Sequence, residues 1–134
     1  MGEAADVVRS AFERFNAGAI DGLMELLDPD VEFHELPMIP GSGTYVGRDG
    51  VRRWAETVVE PFEELRFEFE DADERGQWIA VRTFIEGRGR GSGADMRMRM
   101  STVWRVRDGA IRYHRGYREH AEALRAIDES ERSG

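Results

Sequence analysis

Residues Met96–Leu124 read MRMRMSTVWRVRDGAIRYHRGYREHAEAL. Two alternating runs meet at Arg107-Asp108-Gly109, and a short helical pattern follows at once. Period-two alternation is the signature of a half-buried strand, and Asp-Gly between two such runs marks a tight hairpin. The first run puts Met96, Met98, Met100, Thr102 and Trp104 on one face. Arg97, Arg99, Ser101, Val103 and Arg105 fall on the other. One face is therefore an apolar wall with one hydroxyl in it, suited to a core or an oily pocket.

Working upstream, the pattern stays that of a sheet. Trp78 to Glu86 forms one strand, in which Ile79, Val81 and Ile85 oppose Arg82, Phe84 and Glu86. The more apolar face should point inward, which turns Arg82 outward. Gly87 to Gly93 (GRGRGSG) reads as a loose hairpin connection. It lacks the strand-loop-helix context and the Lys-Ser/Thr ending of a phosphate cradle. Leu65, Phe67 and Phe69 alternate with Arg66, Glu68 and Glu70 in an earlier strand, and Asp73-Glu74-Arg75-Gly76 supplies its turn.

The N-terminal third is mostly helical. Val7, Val8, Ala11, Phe12 and Phe15 recur at helical spacing within residues 4–16, which end at Asn16-Ala17-Gly18. A second helix spans about Ile20 to Leu27, with Asp21 near its start as a cap and Pro29 as its stop. Val31 to Leu36 alternates as a strand that Pro37 and Pro40 end. A glycine-rich loop, Gly41 to Gly47, leads into a third helix over about Val51 to Val59. Downstream of the hairpin, a terminal helix covers about Arg118 to Ile127, and the chain after Asp128 reads as frayed. Helices with one early strand, then a four-stranded antiparallel meander, predict an α+β fold with helices on one face of the sheet. A strongly curved sheet around helices leaves a cone, which holds a cavity unless large side chains fill it.

Residues 1–134 suit one domain, long enough to bury a real core. Cysteine is absent, which excludes disulfides, thiolate nucleophiles and Cys-ligated metals. Lysine is absent as well, which excludes Schiff-base catalysis. The net charge of -8 argues against nucleic acid or an anionic membrane as partner. With no apolar run of membrane-spanning length and acidic Glu3 and Asp6 at the start, a cytoplasmic address is expected. Acidic residues from Glu56 to Glu74 and arginines from Arg82 to Arg118 should offset each other on adjacent solvated strands.

Three segments, AFERFNAGAIDGLMELLDPDVEFHELP, GTYVGRDGVRRWAETV and VWRVRDGAIRYHRGYREHAEAL, carry a resemblance to a known superfamily. In order and spacing the chain resembles the nuclear transport factor 2-like fold, in its polyketide-cyclase-like (SnoaL-like) and ketosteroid-isomerase-like branches. The resemblance implies a cone-shaped α+β barrel: three N-terminal helices on a strongly curved, mainly antiparallel sheet, with a short C-terminal helix. It also implies an apolar small-molecule ligand and a homodimer through the outer sheet face. Relatives include isomerases, cyclases, dehydratases and epoxide hydrolases that use a carboxylate base in a dry pocket with hydrogen-bond donors for developing negative charge. By this likeness the isomerase-like base falls on Phe33, or on Glu35 if the loop shifts. The protonated acid of the isomerase-like oxyanion hole falls on Thr102. The aspartate of cyclase-like and epoxide-hydrolase-like members falls on Gly116.

Glu35 shares a strand face with Val31 and Phe33, where apolar surroundings would suit a general base or acid. Its ordinary alternative is a solvated strand end beside Pro37. His114 alternates with Arg112, Gly116 and Arg118 on the last strand and is a candidate acid, base or donor. A core histidine bonded to a backbone carbonyl is the competing reading. His34 falls on the opposite face from Glu35, and His120, on the terminal helix, receives no role. Three histidines without i,i+4 spacing give little support for a metal, and no cofactor is implied. Phe33, Tyr45, Trp54, Met98, Met100, Thr102 and Trp104 are candidate ligand-lining residues; as core packing they would look the same. Arg97, Arg99, Arg105, Arg115, Tyr113 and Tyr117 would gather on the outer face, as interface or solvated surface.

Three functions follow as expectations. The first is cofactor-free proton transfer on an apolar molecule, with Glu35 as base, His114 as acid or orienter and Thr102 as a polar contact. The second is a non-catalytic binding module, favoured by the losses at Phe33, Thr102 and Gly116. The third is a structural domain whose cone is plugged by Trp54, Trp104 and the methionines. Epoxide hydrolysis lacks its expected aspartate at Gly116.

Overall fold

A computed structural model of the chain describes residues 2–36 and 43–133. Expectations for Pro37 to the start of the glycine-rich loop lie outside them. The elements are α1 (Glu3–Asn16), α2 (Ile20–Met24), β1 (Leu27–Glu35), β2 (Gly43–Val46), α3 (Gly47–Val59), β3 (Phe62–Arg75), β4 (Trp78–Gly89), β5 (Asp95–Arg107), β6 (Ala110–Tyr117) and α4 (His120–Ser133). They build one six-stranded sheet in the order β2-β1-β6-β5-β4-β3. Only the β1–β6 pair is parallel; the other four pairs are antiparallel. The α+β architecture and the β3–β6 meander are as the alternation requires.

The Asp108-Gly109 hairpin forms as its chemistry dictates. Arg107 pairs with Ala110, leaving Asp108 (φ 53°) and Gly109 (φ 77°) as a two-residue connection. Two successive positive φ angles define the turn that matches strand twist, and Asp-Gly tolerates them best. The turn fixes the register, and the register builds the site. Trp104 lies opposite His114, and Thr102 opposite Gly116. On the other side of β6, Phe33 of β1 lies opposite His114. Phe33, His114 and Trp104 thus form one row across three strands, on the face that α1 and α3 cover.

The helices pack by their apolar stripes. Val8, Ala11, Phe12 and Phe15 of α1 and Val51, Trp54, Ala55 and Val58 of α3 are all buried against this concave face. α1 also closes an edge of the sheet. Asn16 Nδ2 donates to the Phe67 carbonyl at 2.7 Å, and Phe67 N–H donates to Asn16 Oδ1 at 2.9 Å. One side-chain amide so replaces a strand partner on β3.

Several boundaries depart from those the sequence predicts. Helix α2 stops at Met24, and Leu27 opens β1, so Pro29 lies inside the strand rather than before it. Proline is tolerated there because β2 pairs only with Glu32–Glu35 and the β1–β6 register shifts between Leu27 and Glu32. Within the glycine-rich segment, Gly43–Val46 pairs as β2, and α3 starts at Gly47 rather than Val51. β3 runs to Arg75, so its turn is Gly76-Gln77. Finally, α4 continues to Ser133, helped by an ion pair between Arg75 and Asp128.

Helix α4 lies across the convex face. Ala123 and Ile127 are buried with Ala80 of β4 and Val103 of β5, and Trp78, Tyr117 and Leu124 pack around them. Burying one side chain the size of Ile127 is worth about 1.5–3 kcal/mol. Part of the face assigned to a dimer is therefore occupied by the chain's own helix. Arg97, Arg99 and Arg115 remain exposed, while Arg105, Tyr113 and Tyr117 are half-buried. Arg82 points outward, against Asp71 at 3.2 Å.

Candidate functional site

The cone closes on a small cavity at the Phe33–His114–Trp104 row. Ala11, Phe12, Phe15 and Leu23 line it from α1 and α2, Trp54 from α3, and Phe33, Glu35, Phe67, Met100, Thr102, Trp104 and His114 from the sheet. Its volume is about 30 Å³, room for one or two water molecules. The aromatic side chains meet edge to face or tilted. Phe33 lies 5.1 Å from Trp54 and 5.6 Å from Trp104, centroid to centroid. Such contacts make the wall stiff as well as apolar.

Two ionisable side chains sit inside this wall. Glu35 and His114 have side chains only 2% and 3% exposed, and Glu35 Oε2 lies 3.8 Å from His114 Nε2. Trp54 Nε1–H donates to Glu35 Oε2 at 3.0 Å, and Leu36 N–H donates to Oε1 at 3.3 Å. The carboxylate is held from α3 and from its own strand end. The imidazole lies between Trp104, 4.3 Å away, and Phe33, 4.7 Å away. Its Nδ1 is buried without a hydrogen-bond partner among the described residues. A buried polar atom of that kind calls for an explanation, and a ligand group is one.

Thr102 is placed differently. Trp104 Nε1–H donates to Thr102 Oγ1 at 2.8 Å, and Thr102 Oγ1 lies 3.0 Å from Thr83 Oγ1, which donates to the Val81 carbonyl at 3.2 Å. Since Thr83 spends its proton on Val81, Thr102 must donate to Thr83. The chain runs indole, hydroxyl, hydroxyl, carbonyl, and it leaves the Thr102 proton committed. Thr102 lines the cavity as a fixed node.

Gly116 explains how the pair fits. A β-carbon there would stand 2.5 Å from Met100 Cε and 3.1 Å from Glu35 Oε1. The space that a side chain at 116 would take is filled by the Met100 methyl and flanked by the Glu35 carboxylate. The acid of this site thus reaches in from β1 instead of β6.

Of the residues singled out by sequence, Glu35, His114, Phe33, Trp54, Met100, Thr102 and Trp104 come together around one cavity. Tyr45 and Met98 are half-buried and pack against the core without lining it. The α1 wall, Phe12 and Phe15, was visible as a core stripe but not as pocket lining, because only the packing angle of α1 decides that. His34 lies outside the cavity, bonded to Thr44 and Glu32. No cluster of His, Cys, Asp or Glu suited to a metal ion occurs among the described residues. Nor is any described helix long and apolar enough to cross a membrane.

Known proteins share this architecture. No curated protein matches the chain. Among solved structures, a nuclear transport factor 2-like protein of unknown function from Burkholderia pseudomallei superposes with a TM-score of 0.79 at 23% identity, over 93% of this chain and 97% of that one. A Mycobacterium tuberculosis protein in complex with estradiol-17β-hemisuccinate gives 0.75 at 19%, over 87% and 94%. The Δ5-3-ketosteroid isomerase of a Mycobacterium species gives 0.74 at 20%, over 90% and 96%. These likenesses establish the fold. The family model for the SnoaL-like domain matches residues 8–114, the helices and strands that build the cone, and the chain belongs to that family.

Proposed function

We propose that the cone binds a slim apolar molecule and moves a proton on it without a cofactor, with Glu35 as base and His114 as its proton-donating partner. One observation carries this: a carboxylate and an imidazole meet 3.8 Å apart, both almost fully buried, in an otherwise apolar cavity. A carboxylate and an imidazole on adjacent sides of one cavity can act on the same bound molecule, one accepting a proton while the other donates a hydrogen bond. Glu35 would take a proton next to a carbonyl. His114, through Nδ1, would meet the negative charge developing on the carbonyl oxygen. The Trp54 hydrogen bond keeps the carboxylate in place. Structural neighbours that are a ketosteroid isomerase or hold a steroid ester support a small-molecule role for the cone.

The cavity of about 30 Å³ is far below the few hundred Å³ of a drug-sized site. A ligand enters by displacing Met100, the unbranched side chain of the lining. The fixed Thr102 hydroxyl and the tight fit favour a second reading, a binding module without turnover. A slim cyclic β,γ-unsaturated ketone separates the two, with binding read from Trp54 and Trp104 fluorescence and isomerisation from the absorbance of the conjugated product. Glu35→Gln should bind the ketone and lose on the order of 100-fold in rate. A variant with full activity excludes Glu35 as base; wild-type binding without turnover selects the module. A homodimer, if formed, would use the outer surface that α4 leaves open around Arg97, Arg99 and Arg115, and light scattering on the intact chain tests it.

A further inference from the structure

The convex face of β5 carries a cluster that the cone does not use. Ser101 Oγ lies 2.5 Å from His120 Nδ1, and His120 Nε2 lies 2.7 Å from Asp73 Oδ2. Three elements supply these groups: β5, the first residue of α4, and β3. An ionised carboxylate only accepts, so Nε2 carries the imidazole proton and Nδ1 accepts from the Ser101 hydroxyl. The arrangement is a hydroxyl, a base and an orienting carboxylate in hydrogen-bonded series. The ring nitrogens have exchanged places relative to the usual serine-hydrolase order, which the imidazole permits because either nitrogen can hold the proton.

The surroundings suit the chemistry. Ser101 lies in an open groove of about 350 Å³, lined also by His120, by Arg82, Arg99 and Arg118, and by the carboxylates Glu70 and Glu119. Arg82 is held by Asp71 and Arg99 by Glu70, while Arg118 has no ion-pair or hydrogen-bond partner among the described residues. The His120 hydrogen bond holds the Asp73 carboxyl below the usual carboxylate range, against the opposing effect of burial. At 1% exposure, Ser101 offers its hydroxyl only to a short acyl group.

We propose that Ser101 is a nucleophile activated by His120 and positioned by Asp73, and that the groove is a second site taking small acyl esters. The Ser101 Oγ lone pair forms a bond to the ester carbonyl carbon as its proton passes to His120 Nδ1. The oxyanion of the tetrahedral adduct develops beside the groove's guanidinium groups. Collapse breaks the bond to the leaving alkoxide, which takes the Nδ1 proton, and Ser101 keeps the acyl group. Water then attacks the acyl carbon, gives its proton to Nδ1, and releases the acid as Ser101 recovers a proton.

The chain is well suited to the test because it has neither cysteine nor lysine, the usual competing nucleophiles. The intact protein is treated with 4-nitrophenyl acetate while nitrophenolate release is followed, and acetylated peptides are mapped by mass spectrometry. The expected result is a burst of nitrophenolate with acetyl on the peptide containing Ser101. Ser101→Ala abolishes the burst, and His120→Gln slows it on the order of 100-fold. Asp73→Asn, which keeps the shape of the side chain, lowers kcat at least about tenfold and leaves KM within about twofold. A cluster that merely tethers α4 would give neither the acetyl group nor that split. No acetyl on Ser101, or acetylation equally fast in Asp73→Asn and His120→Gln, overturns the proposal.

Discussion

The two faces of β5 handle the same problem in opposite ways. On the concave face, Met100, Thr102 and Trp104 enter a packed aromatic interior where the Trp104 indole is bonded to Thr102, His114 Nδ1 has no hydrogen-bond partner among the described residues, and the free volume is near that of a water or two. On the convex face, Ser101 and Val103 lie under α4, and the groove beside them is open and ringed with charge. Adjacent residues of one strand thus face a dry apolar cavity on one side and an open, charged groove on the other. The lesson is that polarity alone does not mark a functional face. The concave site is distinguished by a pair of ionisable groups kept from water, and the convex one by three groups held in series.

The largest test of this contrast is stability. Trp104→Ala removes a ring that touches Phe12, Phe33 and His114, and thermal or denaturant unfolding should show a loss of about 3–5 kcal/mol. Arg97→Ala, exposed on the opposite face, should stay within about 0.5 kcal/mol. Comparable losses from the two would break the contrast. A smaller effect sharpens it. Met100→Ala deletes the methyl that fills the space over Gly116, which should cost about 2–3 kcal/mol and open the cavity. Fluorescence titration should then show tighter binding of bulkier apolar ligands, and unchanged binding would mean that Met100 is not the plug. The smallest effect is acid sensitivity of the outer cluster. Asp73 is held below its ordinary range by its hydrogen bond to His120 and the charges of His120, Arg75 and Arg82. A depressed carboxyl stabilises the fold above its unfolded-state pKa, and that contribution is lost as pH falls through the folded value. Acid unfolding below about pH 4 should therefore begin with α4, and Asp73→Asn should flatten that early phase. Hydrogen exchange along α4 measures it.

Much of this was legible in the chain. The Asp108-Gly109 turn sets the β5–β6 register, and with it the neighbours of His114 and the position of Gly116. The period-two pattern of β1 placed Glu35 on the same face as Phe33. What stayed hidden depends on distance along the chain. Strand β2 was masked by glycines that give no alternation, and only pairing with Glu32–Glu35 makes it a strand. The last turns of α4 look frayed because their partner, Arg75, lies far upstream. His120 received no role for the same reason, since Asp73 is 47 positions away and Ser101 19. Tyr45 and Met98 fitted the lining pattern, yet strand curvature carries them beyond the cavity.

The amide of Asn16 has a further consequence, for the behaviour of many molecules rather than one. β3 is a 14-residue edge strand, the kind of element on which a second chain can add its own strand and begin a fibril. At its middle, Asn16 occupies both the N–H and the carbonyl of Phe67, so the ladder that a newcomer needs is interrupted where it would be longest. Glu63 and Glu64, exposed at the start of the same strand, add like charge between copies of this acidic protein. One helix-terminal side chain thereby helps the protein stay dispersed when it is concentrated.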